Sequence, residues 1–361
     1  WKLYDIGVDA LIIQDMAILE MELPPIVLHA STQANNRDPK HVKFLKDAGI
    51  QRVVLARELN LDQIKDIKEA TDVELEFFVS GALCVSFSGN CYMSVAGGER
   101  SANRGSCAQN CRLPYQLIDG TGETLIANSH LLSIKDLDLS DQLPSLIDAG
   151  ISSFKIEGRL KDIVYVKNNT SYLRQRLDEF LTNNENYQKS SSGRIFYNFD
   201  PKMDRSFNRG YTDYFVNQRK ERIGSWESPK SKGQYIGKVL EVKDKGYIIE
   251  NADLLNNGDG LYFINEEGEA DGVQINIVLN NMIFPNNYKQ ISVETEIYRN
   301  SDAAFNKLVE REDSTIRKIG VKLHLNETHE GFELTVIDED GHESQVAFEA
   351  EKEIAKNGDS I

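Results

Sequence analysis

The sequence of 361 residues has few basic residues, few cysteines and no long apolar run. Lysine and arginine number 41 against 57 aspartate and glutamate residues, a net charge of −16. Proteins that hold nucleic acid over a wide surface need basic residues, so this charge argues against such a surface and leaves only a local basic cleft. No stretch approaches the roughly 18 apolar residues of a transmembrane helix, so no membrane partner is expected.

Two common peptidase signatures are also missing. The sequence has neither the H-E-x-x-H of a zinc peptidase nor the G-x-S-x-G of a serine hydrolase. A starting methionine is missing too, because the chain begins at Trp1. It also stops at Ile361 without an obvious final element, so we expect an excised fragment of a longer protein.

The four cysteines all fall in one short stretch, at Cys84, Cys91, Cys107 and Cys111. Two disulfides would require an oxidising compartment, and no signal peptide is in view, so free thiols in the cytoplasm are expected. A zinc site usually has C-x2-4-C pairs, and here only the last pair is close to that spacing. A 4Fe–4S cluster needs four converging thiolates with looser spacing. A cluster, zinc and unligated cysteines all stay open at this point.

The same stretch carries a specific motif. Residues 76–94 read E-x-F-x2-G-A-L-C-x4-G-x-C-x-M-S. This motif resembles the signature of the collagenase-like peptidase family, the unclassified-type peptidases, and S-F-N-R-G-Y-T at 206–212 resembles another stretch of that family. The resemblance implies an oxygen-independent hydroxylase with a 4Fe–4S cluster on the four cysteines, a TIM-like barrel, RNA as substrate and a prephenate-like dicarboxylate as co-substrate. Arg104 and Arg112 flank the cysteines, where they can offset the negative charge of a cluster.

Apolar runs alternate with amphipathic helices in the first half of the chain. Runs at 9–14, 26–31, 52–58, 74–79 and 152–157 predict buried parallel strands, with helices between them. The fold class is therefore α/β. With the resemblance, we expect a partial TIM-like (β/α) barrel that lacks its first three strand–helix units. A doubly wound open sheet is the alternative, because the sequence alone does not distinguish the two.

The spacing of apolar residues changes towards the C-terminus. Residues 183–232 are rich in Ser, Asn, Lys and Arg and predict a linker or wrapping segment. Residues 233–300 alternate apolar and polar positions between turns, which predicts a small antiparallel β-barrel. Residues 301–361 predict the start of a further β-rich domain. The first domain is expected to span 1–182, with its cluster segment at 84–111, and this layout resembles that of family members that modify ribosomal RNA.

Polar residues follow several of the predicted strands, at the edge where barrel enzymes place their chemistry. The candidate substrate contacts are His29, Gln33, Arg57, Lys155, Glu157 and Arg159. A dicarboxylate needs two cations, for which we choose Arg57 and Arg159, with Lys155 in reserve. Local ion pairs, Lys155 with Glu157 and Arg57 with Glu58, are the structural alternative. No catalytic residue is identified.

Three functions are compatible with these features. The first is an iron–sulfur-dependent hydroxylase of a nucleobase, acting on ribosomal RNA or alternatively on transfer RNA, with prephenate as hydroxyl donor. The second is a collagenase-like peptidase, for which no nucleophile and base can be identified. The third is a non-catalytic protein that is stabilised by a cluster and binds a partner.

Overall fold

A computed structural model of the chain describes residues 1–219 and 222–351. Within them the α-helices are α1 (Lys2–Asp5), α2 (Pro39–Asp47), α3 (Leu61–Ala70), α4 (Met93–Ala96), α5 (Leu143–Asp148), α6 (Ile163–Thr182) and α7 (Ala303–Val309). The strands are β1 (Ala10–Ile13), β2 (Val27–Ala30), β3 (Arg52–Val54), β4 (Glu74–Ala82), β5 (Tyr115–Ile118), β6 (Thr124–Ser129), β7 (Asp136–Asp138), β8 (Ser153–Glu157), β9 (Arg194–Tyr197), β10 (Tyr211–Thr212), β11 (Gln234–Lys243), β12 (Gly246–Ile249), β13 (Gly260–Ile264), β14 (Ala270–Leu279), β15 (Met282–Pro285), β16 (Glu296–Ser301), β17 (Thr315–Lys318), β18 (Val321–Glu327), β19 (Gly331–Asp338) and β20 (Glu343–Glu349). The fold is mixed α/β.

The five strands predicted from the apolar runs are present and lie parallel in the order β1-β2-β3-β4-β8. Their centre is apolar: Ala30, Val53 and Leu75 are fully buried. Helices α2 and α3 begin at polar caps, as short polar side chains favour, and each buries an apolar stripe. Within the described residues the sheet does not close on itself. The TIM-like barrel is therefore not confirmed and stays a prediction.

Strand β4 is crowded at its C-terminal end, just before the cysteine stretch. Its residues 80–82 pair antiparallel with β7, while residues 76–81 pair with β8 on the other edge. Gly81 lies there with φ of +107°, and a Cβ on it would meet the Glu157 carbonyl oxygen at 2.2 Å. Only glycine fits this close approach in this backbone conformation. This close approach is the steric reason for the glycine in the G-A-L-C part of the motif.

The segment predicted as a linker also contributes to this sheet. Strand β10 pairs parallel with β7, and Tyr214 and Val216 are buried in the same apolar core. Arg209 forms a buried ion pair with Asp136 of β7 at 2.9 Å. The segment therefore wraps onto the sheet instead of only connecting domains.

Strands β11 to β16 form a closed antiparallel barrel in the order β11-β12-β15-β14-β13-β16. Alternate apolar side chains such as Ile236, Phe263 and Ile297 fill its interior. Buried Arg299 forms ion pairs with Asp259 and Asp302. The alternating pattern of residues 233–300 therefore corresponds to a barrel that ends at Ser301.

The chain forms two compact units, 1–180 with 201–310, and 181–200 with 311–361. Described residues of the second unit include the antiparallel pair β9–β17 and the antiparallel sheet β18-β19-β20. A turn at Asp338–Gly341 joins β19 to β20 in an antiparallel hairpin. The predicted domain boundaries at 182, 232 and 300 stay predictions. No helix of the described residues combines the length and apolar character needed to cross a lipid bilayer.

Candidate active site

The cysteine segment, residues 83–112, leaves the C-terminal end of β4 and is fastened to the ends of neighbouring strands. Glu58 accepts hydrogen bonds from the backbone N–H and the hydroxyl of Ser88, at 3.0 and 2.9 Å. The Gln33 amide donates to the Ala102 carbonyl at 2.9 Å. Gln33, a predicted substrate contact, and Glu58, the neighbour of predicted contact Arg57, thus hold this segment in place. The Gln33 amide is used in this contact.

Two further contacts fix the segment. Arg159, which is exposed, donates one hydrogen bond to the Gly105 carbonyl at 3.0 Å. Gly89, the glycine of the C-x4-G-x-C part of the motif, has φ of +76°, and a Cβ there would lie 2.3 Å from the Gln33 carbonyl oxygen. Two backbone segments come so close here that only glycine fits, as at Gly81.

The four thiols are free, half-buried and electrostatically close to one another. Burial raises the pKa of Cys111, and the charges of Cys84, Cys107 and Cys91 raise it further, while Arg112 lowers it. Burial likewise raises the pKa of Cys84, while a backbone hydrogen bond from Ser86 and the charge of Arg57 lower it. The backbone N–H of Gln109 donates to the Cys107 sulfur at 3.3 Å. Such N–H···S bonds help to set the potential of sulfur-ligated clusters.

Tetrahedral zinc with Zn–S bonds of about 2.3 Å holds its sulfurs about 3.8 Å apart. Among the described residues, Asp338, Asp340 and His342 are the one group of three whose ligating atoms all lie within 4.8 Å. No three of the four cysteine sulfurs meet that limit. The Asp338 group lies in the exposed β19–β20 turn, where its hydrogen bonds close the hairpin.

Arg57 lies against the thiols from the sheet side. Its guanidinium stacks over the Phe78 ring at 3.8 Å and pairs with Glu157 at 3.6 Å. Burial lowers the pKa of Arg57, and the charges of Glu157 and Cys84 partly offset that effect. Its Nε is buried without a hydrogen-bond partner in the described part of the chain. Arg57 pairs with Glu157 and not with Glu58, so the alternative of a local Arg57–Glu58 pair is wrong.

Lys155 and His29 belong to a polar row across the parallel strands. Lys155 pairs with Glu76 at 3.2 Å, and Arg52 contacts the same carboxylate at 3.4 Å. Burial would raise the pKa of Glu76, but a hydrogen bond from Ser153 and these two cations keep it lowered. Burial and the Arg52 charge lower the pKa of His29, while the charges of Glu76 and Glu74 oppose that shift. The alternative of a local Lys155–Glu157 pair is wrong, because Lys155 pairs with Glu76 and Glu157 pairs with Arg57.

Lys161 is a residue that the sequence analysis missed. Its ammonium lies over the Phe207 ring at 2.9 Å and the Tyr165 ring at 5.4 Å, with no ion pair or hydrogen bond to any described side chain. Burial lowers its pKa to about 8, with Asp136 raising it and Arg209 lowering it. The signal was present, since Phe207 and Arg209 belong to the S-F-N-R-G-Y-T stretch and Lys161 follows K-I-E-G-R. The fold brings these two stretches together.

Arg112 links the Lys161 region to the thiols. Its guanidinium donates to the Leu83 carbonyl at 3.1 Å and to the Ser133 hydroxyl at 2.8 Å, and also to the Ile134 carbonyl. Burial lowers its pKa, with Arg209 acting in the same direction and Cys111 opposing. Arg112 therefore places a fixed positive charge between the cysteines and Lys161.

Comparisons with known proteins place these features in context. A model described as peptidase family U32 matches residues 1–225. A 23S rRNA 5-hydroxycytidine synthase of Escherichia coli is 45% identical over 348 residues, covering 94% of this chain and 53% of that protein. A tRNA hydroxylation protein of Bacillus subtilis is 32% identical over 279 residues, 73% of this chain and 65% of that protein. A collagenase of Porphyromonas gingivalis is 34% identical over 235 residues, 60% of this chain and 54% of that protein. The chain spans about half the length of the first of these relatives.

Proposed function

The chain belongs to peptidase family U32, and on this basis we propose that it is an RNA-modifying enzyme, an iron–sulfur-dependent hydroxylase that works without oxygen. Ribosomal RNA is the favoured substrate, because the relative matching 94% of the chain is named for a hydroxycytidine of 23S rRNA. Transfer RNA is the second candidate, through the Bacillus relative. A protein acting on either RNA would work in the cytoplasm.

One observation carries the proposal: four free, half-buried thiols converge beside the C-terminal end of β4. Their number, their mutual electrostatic proximity, the N–H donor to Cys107 and the positive charges of Arg57 and Arg112 suit a 4Fe–4S cluster on Cys84, Cys91, Cys107 and Cys111. Such a cluster, when bound, supplies one-electron redox chemistry. The chain's own residues then hold the co-substrate, shield the site and keep its charge balanced.

The hydroxyl donor in this proposal is a prephenate-like dicarboxylate. Overall, a C–H bond of the base and the C–OH bond of the donor break, while a C–OH bond of the base and a C–H bond of the donor form. The base loses two electrons and the donor gains them, so no oxygen is consumed. The unpaired ammonium of Lys161 and the guanidinium of Arg57, whose side chain is 15% exposed, are the cations proposed for the two carboxylates. Lys155 is paired with Glu76, and exposed Arg159 stays a further candidate, since its side chain makes one hydrogen bond, to the Gly105 carbonyl.

A peptidase is the alternative, since one relative is named a collagenase. A nucleophilic cysteine requires a lowered pKa and a base beside it. Burial instead raises the pKa of Cys84 and Cys111, and no histidine of the described residues is hydrogen-bonded to any of the four thiols. The site therefore favours hydroxylation over peptide hydrolysis.

Nucleoside mass spectrometry of RNA from a strain lacking the gene tests the function. The deletion should remove one hydroxylated nucleoside, which the wild-type gene restores and Cys107→Ala does not. Ser106→Ala, an exposed neighbour, is the matched control and should restore it. An unchanged nucleoside profile in the deletion strain would rule out RNA hydroxylation and leave the peptidase or a non-catalytic binding role.

A further inference from the structure

A cavity adjoins the cysteine segment, and its chemical character differs from that of the Lys161 region. It has a volume of about 260 Å³ and is lined by Arg37, Phe87, Phe215, Arg219, Glu58 and Gln63, among others. Phe87 comes three residues after Cys84, and Glu58 is the carboxylate that holds Ser88. One wall of this cavity is therefore the cysteine segment itself.

Each phenylalanine of the cavity is paired with an arginine. The Arg37 guanidinium lies 4.6 Å from the centre of the Phe87 ring, and that of Arg219 lies 5.0 Å from the Phe215 ring. Neither arginine has an ion-pair partner in the described part of the chain, although the protein carries a net charge of −16. Aromatic rings and guanidinium planes are the surfaces on which bases of single-stranded RNA stack, and unpaired arginines bind phosphate.

The size and the remaining groups fit one base. The volume is just below the range of about 300–1,000 Å³ that holds drug-sized ligands, so the cavity fits one ring system and excludes a duplex. Asn60 and Gln63 accept hydrogen bonds through their side-chain oxygens in the cap of α3, which leaves their amide N–H groups as donors. Glu58 adds an acceptor, the group that recognises an exocyclic amine such as that of cytosine.

We propose that the Arg37–Phe87 and Arg219–Phe215 pairs form a subsite that takes one unpaired nucleotide of single-stranded RNA, its base against the exposed Phe87 ring and its phosphate on the arginines. This inference rests on the proposed function and specifies how the RNA is held. An enzyme that modifies a base must take that base out of the stack, and a pocket of this kind receives it. The acidic chain then binds RNA through a few local arginines and not through a broad basic surface.

Phe87 is the residue to test, because half of its side chain is exposed and its loss should spare the fold. The probe is a 5′-fluorescein-labelled single-stranded RNA of about 12 nucleotides, followed by fluorescence anisotropy with anaerobically purified full-length protein. Phe87→Ala should raise Kd about 5- to 100-fold, because it removes one stacking surface. Phe87→Tyr should bind like wild type. Phe44→Ala, which removes an exposed ring on α2, is the matched control and should leave Kd unchanged.

Salt dependence provides a second measurement. Arg37→Ala should reduce the slope of log K against log salt by about one, as expected for one lost phosphate contact. Arg194→Ala, an exposed arginine of β9, should not change that slope. Wild-type Kd and slope in both cavity variants would overturn the subsite while leaving the hydroxylase proposal to the nucleoside assay. Wild-type protein that binds no RNA would overturn the subsite and contradict the proposed RNA substrate as well.

Discussion

The buried ion pair between Asp136 and Arg209 offers a sharp test of how the wrapping segment is held on the sheet. The two side chains are 4% and 9% exposed. The Asp136 carboxylate accepts from the Arg209 guanidinium at 2.9 Å and from its backbone N–H at 2.8 Å, and the Arg209 Nε donates to the Pro229 carbonyl. Asp136→Ala removes both bonds to the carboxylate and leaves a buried guanidinium without its counter-charge.

Removing one partner of a buried pair costs about 3–5 kcal/mol. Because native proteins are stable by only about 5–15 kcal/mol, this loss is a large share of the total. Urea unfolding followed by far-UV circular dichroism measures it. Asp47→Ala breaks the exposed Lys43–Asp47 pair at 3.0 Å and is the matched control, with an expected cost of about 0–1 kcal/mol.

A double variant isolates the reason for this cost. Asp136→Ala with Arg209→Leu should be more stable than the sum of the two single changes predicts, because no unpaired charge remains buried. A loss below about 1 kcal/mol for Asp136→Ala, or strict additivity in the double variant, would refute the argument that the buried charge dominates.

Three further predictions concern the site. Cys107→Ala should abolish the roughly four iron and four sulfide per chain expected of anaerobically purified protein, measured by chemical analysis; stoichiometric zinc in wild type would contradict the cluster. Gly81→Ala should lower the urea midpoint more than Gly49→Ala, because both glycines have φ near +100° but only Gly81 approaches another backbone; equal losses would leave backbone strain as the whole cost. Prephenate affinity, measured by calorimetry, should fall as pH rises through about 8, because the Lys161 ammonium loses its proton; Lys161→Arg should remove that fall, and a fall that persists would exclude Lys161.

Much of the fold was predictable, because local patterns determine it. The apolar runs predicted the five parallel strands, and the change to period-two alternation after residue 232 predicted antiparallel strands. Strand β7, which pairs with the C-terminal end of β4, and strand β10, which pairs with β7, were not predictable. They are only three and two residues long, and a run that short has no periodicity to detect. The alternative of local ion pairs was also wrong, since Lys155 pairs with Glu76 of the neighbouring strand β4 and Arg57 pairs with Glu157 of β8, and both partners are distant in sequence.

The sequence by itself determined that four thiols fall in one short stretch and that two of them share a motif with Gly81 and Gly89, because residue type and spacing are written into the chain. The tertiary structure alone decided which polar side chains remain available there. Gln33 and Arg159 hold the cysteine segment and Lys155 is paired, whereas Lys161 keeps a free ammonium beside Phe207. The physical reason is that a hydrogen bond or an ion pair depends on the position of its partner. These partners are distant in sequence, and folding brings them together.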